Sequence, residues 1–536
     1  MPRRLRPIRD PVTLIVDGDP VVAERGEPIA VSLVAAGRLV LGRSVKYHRP
    51  RGPVCFGGRC DGCLMRVDGT PNVMTCHVTA EDGARVETQN VLGTAEHDLL
   101  SLTDWFFPEG MDHHHMFTRF SPLNRVMRKV ARRIAGVGTL PDAPREAVTP
   151  REEDVDVLVV GGGASGVHAA NAAAKRGAKV MLVEERTLGG EAALRGESSP
   201  RLGPPVLLRE RTTALGVWRE VGAGFRGREQ SEPVRWVLLG DDDGVIRLRA
   251  RAIVIATGAE EGALAIPGND RPGIVSSLGA LRLLSHGVLV GERVAFVGAH
   301  DTLDIARAQL VAAGATSVGH FASAEVDAIG GRPSVSWVRA RGAKVSCDAV
   351  VTGDAPSAVY AIASQAGAGV RFDGRGFVVS ADDEGRTSDA TTFAVGRCTG
   401  RAGEIARAQA ERAGELAARP DGAVASPEVA RVAHERAPRT RDVSTADKLL
   451  ACRCEDVTAK ELAEAVSRGH GDLEGAKRYT GFGTGWCQGK QCVALCARLL
   501  EELGGERADE PITPRPPIHP IPLAELAGLV DDEEPR

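Results

Sequence analysis

Aromatic residues are scarce: 3 Tyr, 5 Trp and 12 Phe make up 4% of 536 positions. That argues against a recognition surface built by stacking bases on rings. Charge of one sign is lacking too, since 67 basic against 71 acidic side chains leave a net charge of -4. Such a balance does not suit a nucleic-acid binder. No run reaches the roughly 18 apolar residues of a membrane-spanning helix; Val31 to Leu41, for example, is interrupted by Arg38. The opening, Met1 to Gly18, has no apolar core of a secretory signal, and the eleven cysteines are an odd number. Together these predict no disulfide framework, a cytoplasmic protein, and thiols used in metal or redox chemistry.

What is present is length and glycine. At about 150 residues per domain the chain divides into roughly three to four units. With 43% apolar residues each can bury a core, while 63 Gly and 31 Pro point to tight turns and binding loops made of backbone.

Eight cysteines fall into two groups. Cys55, Cys60 and Cys63 are spaced C-x4-C-x2-C, with Cys76 after twelve intervening residues and glycines at 52, 57, 58, 62 and 69. This is the plant-type 2Fe-2S spacing, in which three thiolates converge from one loop and glycines bring N–H donors to the sulfurs. Zinc is the rival, although paired C-x2-C knuckles are its commoner pattern. Upstream, Val12 to Val16 reads as a strand, Asp17-Gly18 as a hairpin turn, Val21 to Ala23 as the partner strand, and Pro28 to Ala36 as a helix ended by Gly37. That order is the β-grasp ferredoxin's, over residues 8–98. The second group is Cys452 and Cys454, then, after 32 intervening residues, Cys487 and Cys492. Ala459 to Arg468 between them is helical in pattern and Gly481 to Gly485 is glycine-rich. The words Cys452-Arg453-Cys454-Glu455-Asp456-Val457-Thr458 and Cys487-Gln488-Gly489-Lys490-Gln491-Cys492 resemble the small helical bacterioferritin-associated-ferredoxin module, which implies a second 2Fe-2S cluster over 448–505. A zinc ribbon is the alternative. Cys496, Cys347 and Cys398 read as buried thiols.

Between the groups, 153–418 carries a dinucleotide fingerprint. The apolar strand Asp156 to Val160 leads into Gly161, Gly163 and Gly166, then an alanine-rich helix, then a strand ending at Glu184. Gly161 makes the turn, Gly163 admits a pyrophosphate to the helix N-terminus beside Ala164 and Ser165, Gly166 lets helix and strand pack, and Glu184 accepts from ribose hydroxyls. Glu185 and Gly190 join the candidate cofactor residues. FAD is favoured over NAD by a second strand ending in Ala256-Thr257-Gly258 and a third, Thr392 to Gly396, although Arg397 stands where an acid is usual. An inserted second Rossmann lobe, about 270–375, has strand Arg293 to Val297 followed by Gly298. There His300 and Leu303 replace glycines, so NAD(P) binding is not expected.

The runs Ser44-Val45-Lys46-Tyr47-His48-Arg49-Pro50-Arg51-Gly52, Ile266-Pro267-Gly268-Asn269-Asp270-Arg271-Pro272-Gly273 and Pro516-Pro517-Ile518-His519-Pro520-Ile521-Pro522-Leu523 resemble the alpha subunits of bacterial heteromeric FAD-dependent amine and amino-acid dehydrogenases, the family of sarcosine oxidase alpha, hydrogen cyanide synthase, opine oxidase and D-hydroxyproline dehydrogenase. The resemblance implies an α/β multidomain chain with a β-grasp 2Fe-2S domain, a two-dinucleotide-binding FAD domain and a C-terminal helical 2Fe-2S module. It further implies an electron-transfer role beside an FAD-containing, amine-oxidase-like beta subunit. Further partners implied are a downstream electron acceptor and a small gamma subunit. No catalytic base is assigned. Because the sequence stops soon after the second cysteine group, no folate-binding aminomethyltransferase-like region is expected. Placement at the inner-membrane surface is an alternative to the free cytoplasm. Two rival functions stand beside this one: a stand-alone NAD(P)H-dependent reductase, and a scaffold with a vestigial flavin site.

The remaining segments read as connections. Asp112-His113-His114-His115 reads as a surface or interface loop. Arg125, Arg128, Lys129, Arg132 and Arg133 lie on a basic helix within the connector 99–152. A linker covers 419–447, and a Pro-rich, acidic tail covers 506–536, ending in Asp531 to Glu534.

Overall fold

Alternating apolar residues at Val12, Leu14 and Val16 make the Pro11–Val16 strand one-sided, each of the three at most 2% exposed. Asp17 and Gly18 both have positive φ, 53° and 92°, the turn that a two-residue hairpin needs to reach Asp19–Glu24. The computed structural model describes residues 1–102, 104, 146–198, 200–219, 235–419, 424–426 and 448–529. The His113 to His115 run, the basic helix, most of the 419–447 linker and the acidic end at 531–534 lie outside the described residues. The described residues fall into two compact units, one drawn from Met1–Asp142, Glu261–Ala355 and Ala437–Ala508, the other from Ala143–Glu260, Pro356–Arg436 and Asp509–Arg536.

In the first unit the hairpin belongs to a five-stranded sheet in the order Asp19–Glu24, Pro11–Val16, Arg85–Glu87, Leu64–Val67, Thr70–Met74. Only the central Pro11–Val16 and Arg85–Glu87 pair is parallel. Helix Ile29–Ala35 buries Ile29, Leu33 and Val34, and Gly37 ends it at φ 84°. A second sheet of the same unit is parallel throughout, in the order Ile274–Ser276, Ala349–Gly353, Arg293–Gly298, Thr316–Phe321. Its helices are Ser277–Ser285 and Asp301–Ala312. The two sheets share one core, in which Leu14, Leu33 and Met65 join Val275, Leu283, Phe296 and Val351. The last part of the unit has a short ladder, Leu450–Cys452 with Val457–Thr458, and helices Ala459–Ser467, Leu473–Thr480 and Val493–Glu502.

The second unit is built on a seven-stranded sheet. Its parallel part runs Leu207–Arg209, Val180–Val183, Arg151–Val160, Gly244–Ile255, with Thr392–Ala394 also paired to Gly244–Ile255. Arg235–Asp241 and Thr213–Arg219 extend it antiparallel. Continuous apolar runs such as Val180 to Val183 suit strands covered on both faces. Helices Ala164–Lys175 and Gly403–Ala417 pack closely against each other, because a Cβ at Gly414 would stand 2.1 Å from the Ala169 carbonyl.

Candidate functional site

The first cysteine group is a buried pocket of sulfur. Cys55, Cys60, Cys63 and Cys76 are 0, 2, 1 and 8% exposed. The sulfurs of Cys55 and Cys60 are 3.4 Å apart, and Cys63 is hydrogen-bonded to Cys76. Backbone donors surround them: Gly57 and Arg59 donate to Cys55 Sγ at 3.4 and 3.2 Å, and Gly58 donates to Cys76 Sγ at 3.3 Å. The loop closes only with glycine at Gly62, where a Cβ would lie 1.9 Å from the Gly52 carbonyl oxygen. Cys76 itself sits in the turn after strand Thr70–Met74 rather than on it. The Cys55 hydrogen bond lowers the Cys60 thiol, whereas contact with Cys76, reinforced by burial, pushes Cys63 well up. Four buried thiols this close cannot all ionise without a cation among them.

The second group repeats the arrangement from two loops. Cys452 and Cys454 sulfurs are 3.6 Å apart, Cys454 and Cys487 are 3.5 Å apart, and Cys492 hydrogen-bonds Cys452. Backbone N–H groups of Gly483 and Glu455 reach Cys452. A Cβ at Gly485 would come within 2.6 Å of Cys454 Sγ. All eleven cysteines are buried and free of disulfides. Cys496, one turn past Cys492, faces the Ala451 carbonyl at 3.8 Å and also contacts Cys492. Cys347 and Cys398 stand apart in the core, both thiols pushed up to about 12 by burial. Among the described residues, no three or more of His, Cys, Asp and Glu surround a single-ion position. In the second group Cys452 and Cys454 each contact two other sulfurs, so the four thiols form one continuous set, and four thiolates are the complement of a 2Fe-2S cluster.

In the second unit, the dinucleotide residues come together around the strand ends. Gly161 has φ 110°, and a Cβ there would stand 2.3 Å from the Ala256 carbonyl; one at Gly166 would stand 1.9 Å from the Gly161 carbonyl. At Gly163 a Cβ would meet nothing within 4 Å, so the approach to the N-terminus of helix Ala164–Lys175 is open. A Cβ at Gly190 would stand 3.7 Å from Gly163 Cα, and one at Gly396 would run into the Ser165 side chain. Glu184 is 6% exposed; burial and then Glu185 raise its pKa. Its two oxygens accept from Gly162 N at 2.7 Å and Arg186 N at 3.1 Å, leaving lone pairs for a ribose. Glu185 turns instead to Arg186 at 3.5 Å. Thr257 Oγ1 donates to the Val359 carbonyl at 2.6 Å and the Gly258 carbonyl accepts from Val359, so these two brace the turn. Arg397, the departure from pattern, faces the Glu197 carboxylate at 3.8 Å.

The lobe in the first unit is arranged differently. His300 Nδ1 and Asp301 Oδ1 both accept from Thr302 N, and Asp301 and Asp304 occupy the first turn of the helix. The helix N-terminus is answered by the chain's own acids. Leu303 is fully buried, 2.7 Å from where a Cβ of Gly353 would stand.

Residues missing from the sequence reading are the N–H donors of Arg59, Glu455 and Gly483, and a charged bridge. Arg51 donates to the Arg453 carbonyl at 2.7 Å and to Asp456, Arg49 reaches Asp456 at 3.4 Å and Asp104 at 2.7 Å, and Lys46 reaches the Glu455 carbonyl at 2.8 Å. The repeated cations in Lys46 to Arg51 were the available signal.

Residues 9–91 match the family described as 2Fe-2S iron-sulfur cluster binding domain, 156–250 the FAD dependent oxidoreductase family, and 448–529 the sarcosine oxidase A3 domain. The chain is 28% identical over 577 residues to the alpha subunit of sarcosine oxidase from Rhizobium meliloti (strain 1021), covering 97% of this chain and 58% of that one. It therefore spans less than two thirds of that relative's length. It is 24% identical over 462 residues to the A subunit of opine oxidase from Agrobacterium tumefaciens (strain Ach5), covering 70% of this chain and 92% of that one. The crystal structure of L-proline dehydrogenase from P. horikoshii shares the fold, with a TM-score of 0.73 at 22% identity over 98% of this chain and 99% of that one. Among the described residues no helix is long and apolar enough to cross a membrane. With its 2Fe-2S ferredoxin-like domain and Rossmann-type FAD-dependent oxidoreductase fold, the chain is a homologue of the alpha subunits of sarcosine oxidases and the A subunits of opine oxidases.

Proposed function

We propose that this chain is the electron-handling subunit of a heteromeric FAD-dependent amine or amino-acid dehydrogenase. The observation that carries the reading is the pair of buried thiol groups, each ringed by backbone N–H donors, in one chain with an open dinucleotide turn. Cys55, Cys60, Cys63 and Cys76 would hold one 2Fe-2S cluster, and Cys452, Cys454, Cys487 and Cys492 a second. FAD would lie along Gly161, Gly163, Ala164, Ser165 and Gly166, with Glu184 on the ribose and Gly190, Ala256, Thr257, Gly258 and Gly396 shaping the rest. When bound, a flavin takes two electrons and can release them singly, and a 2Fe-2S cluster carries one at a time.

The chain's own contribution is to hold and insulate. Backbone donors at Gly57, Gly58, Arg59 and Gly483 offset sulfur charge, and burial keeps water from the thiols. At the flavin turn, the glycines leave room for a diphosphate against helix N–H groups, and Glu184 reads hydroxyls. Substrate oxidation is assigned to a partner chain carrying its own FAD, since the alpha and A designations of the relatives fit one component of a multi-chain enzyme. The self-capped Asp301–Ala312 helix, with acids where a diphosphate would sit, supports a lobe that binds no pyridine nucleotide.

The test is to co-express the chain with the product of an adjacent amine-oxidase-like reading frame and follow both flavin and iron–sulfur absorbance under anaerobic addition of amino acids. Bleaching of both by a substrate supports the reading. Bleaching by NADH alone would support a stand-alone reductase, and zinc without flavin would support a scaffold.

A further inference from the structure

The lobe with the self-capped Asp301–Ala312 helix carries a second helix, Ser277–Ser285, that is pressed onto the loop of the first cysteine group. Its residues Ser277 to Leu283 are all buried. Three positions spaced by three, on one helix face, meet the Val54-Cys55 segment. Ser276, the N-cap, donates its backbone N–H to the Val54 carbonyl at 3.0 Å. Gly279 leaves no room there, since a Cβ would stand 2.2 Å from that same carbonyl oxygen. Arg282 Nη1 donates to the Cys55 carbonyl at 2.7 Å. Val275 and Leu283 share a core with Phe56 and Cys63, so the contact is packed as well as hydrogen-bonded.

Arg282 is the informative member of the three. It is 4% exposed and is the one charged side chain in that buried stretch, a placement that is costly unless the charge is used. A backbone carbonyl needs only a neutral donor; what arginine adds is a permanent cation. Its position follows from covalent geometry: a nitrogen 2.7 Å from the Cys55 carbonyl oxygen lies within roughly 8 Å of the Cys55 sulfur, whatever the rotamer. That sulfur accepts from the Gly57 and Arg59 N–H groups and is 3.4 Å from Cys60 Sγ. A fixed positive charge thus stands beside the Cys55 and Cys60 pair, supplied by the lobe and not by the ferredoxin-like domain.

We infer that Arg282 is a positioning residue for the first cluster, one that holds the Cys55 backbone from the second Rossmann-type lobe and, by its fixed charge, makes that cluster easier to reduce. The inference rests on the proposed function above and gives the lobe a use in electron transfer. One electron passing from a reductant to the cluster adds one negative charge there. A cation nearby favours that reduced form, and the effect is strengthened where burial excludes water and weakens with distance.

The full chain is purified anaerobically as wild type, Arg282→Met, Arg282→Gln and Arg282→Lys, and each iron–sulfur EPR signal is followed in a redox titration. A Cys487→Ala chain, which keeps only the first group's four thiols intact, assigns the signals. The expected result is a normal iron content in wild type and all three Arg282 variants. In Arg282→Met and Arg282→Gln the first group's signal moves down by about tenfold in the one-electron equilibrium, equivalent to about 59 mV. The second group's signal moves less, and Arg282→Lys stays closer to wild type. Iron-loaded neutral variants with an unchanged first potential would overturn the inference and leave the functional reading standing. So would a shift equal in Arg282→Lys and Arg282→Met, a second signal that moves as far as the first, or loss of iron from both neutral variants while wild type loads normally. A wild-type chain whose first group holds no iron–sulfur cluster would overturn the reading and the inference with it.

Discussion

Single atoms decide the outcome at the glycines. Gly62→Ala would drive a Cβ to 1.9 Å from the Gly52 carbonyl oxygen, a backbone atom that cannot swing aside. The expected outcome is loss of iron from the first group alone, read as about half the wild-type iron per chain with the second EPR signal intact. Gly166→Ala meets the Gly161 carbonyl at the same 1.9 Å, and should abolish FAD retention while sparing iron, checked by flavin absorbance after gel filtration. The thiols away from the groups give a pH prediction. Burial raises Cys347 and Cys398 to about 12 from an ordinary value of 9.0. The folded state thus prefers the neutral thiol: their contribution to stability is complete below about pH 9 and is lost as pH climbs toward 12. Chemical denaturation midpoints should fall over that window in wild type, and less in a Cys398→Ala chain.

At the scale of elements, helix Ala459–Ser467 depends on its start. Thr458 Oγ1 accepts from Glu461 N at 3.3 Å, and Glu461 returns the contact by accepting from Thr458 N at 2.7 Å. Thr458→Ala removes this reciprocal cap just after the Cys452–Cys454 loop and should cost about 1 kcal/mol, measured by thermal or denaturant unfolding of the holo chain. Much at this scale was legible in the sequence, because hairpin, helix and glycine turn are local signals. Asp17-Gly18 marks the first hairpin and Gly37 the end of its helix; the apolar run at Val180 marks a covered strand. The Pro28 to Ala36 helix is one residue shorter at each end, since Pro28 serves as the N-cap and Ala36 as the C-cap. The gathering of the cysteines into two groups was legible from spacing alone. The start of helix Asp301–Ala312 was only half visible: His300 and Leu303 could be read as departures from glycine, but not that His300 and Asp301 would both cap Thr302 N.

At the scale of the molecule, what could not be read is what depends on distant pairs. Nothing in local periodicity says that Leu14 and Met65 share a core with Phe296 and Val351. Nor does it say that Arg49 and Arg51 meet Asp456, some four hundred positions later. The Ser44 to Gly52 run was noticed for its resemblance alone; its physical use is to carry cations to the loop of the second cysteine group. Asp456 is 1% exposed between two arginines, so Asp456→Ala leaves buried positive charge without its counter-ion. The expected loss is about 3–5 kcal/mol of stability, seen in denaturant unfolding, with the second cluster the first to be released. Glycine-built loops, a dinucleotide turn and two groups of buried sulfur are what these distant pairings hold in place, and the proposed electron-handling role rests on them.

The central claim is that this one chain holds two 2Fe-2S clusters and one FAD. Quantitative iron, acid-labile sulfide and flavin analysis of the anaerobically purified chain, combined with EPR spin quantitation after dithionite reduction, tests it most directly. The account predicts about four irons, about four sulfides, about one FAD and two distinct signals integrating to about two spins per chain. About two irons with a single signal, or zinc in place of iron, would contradict it.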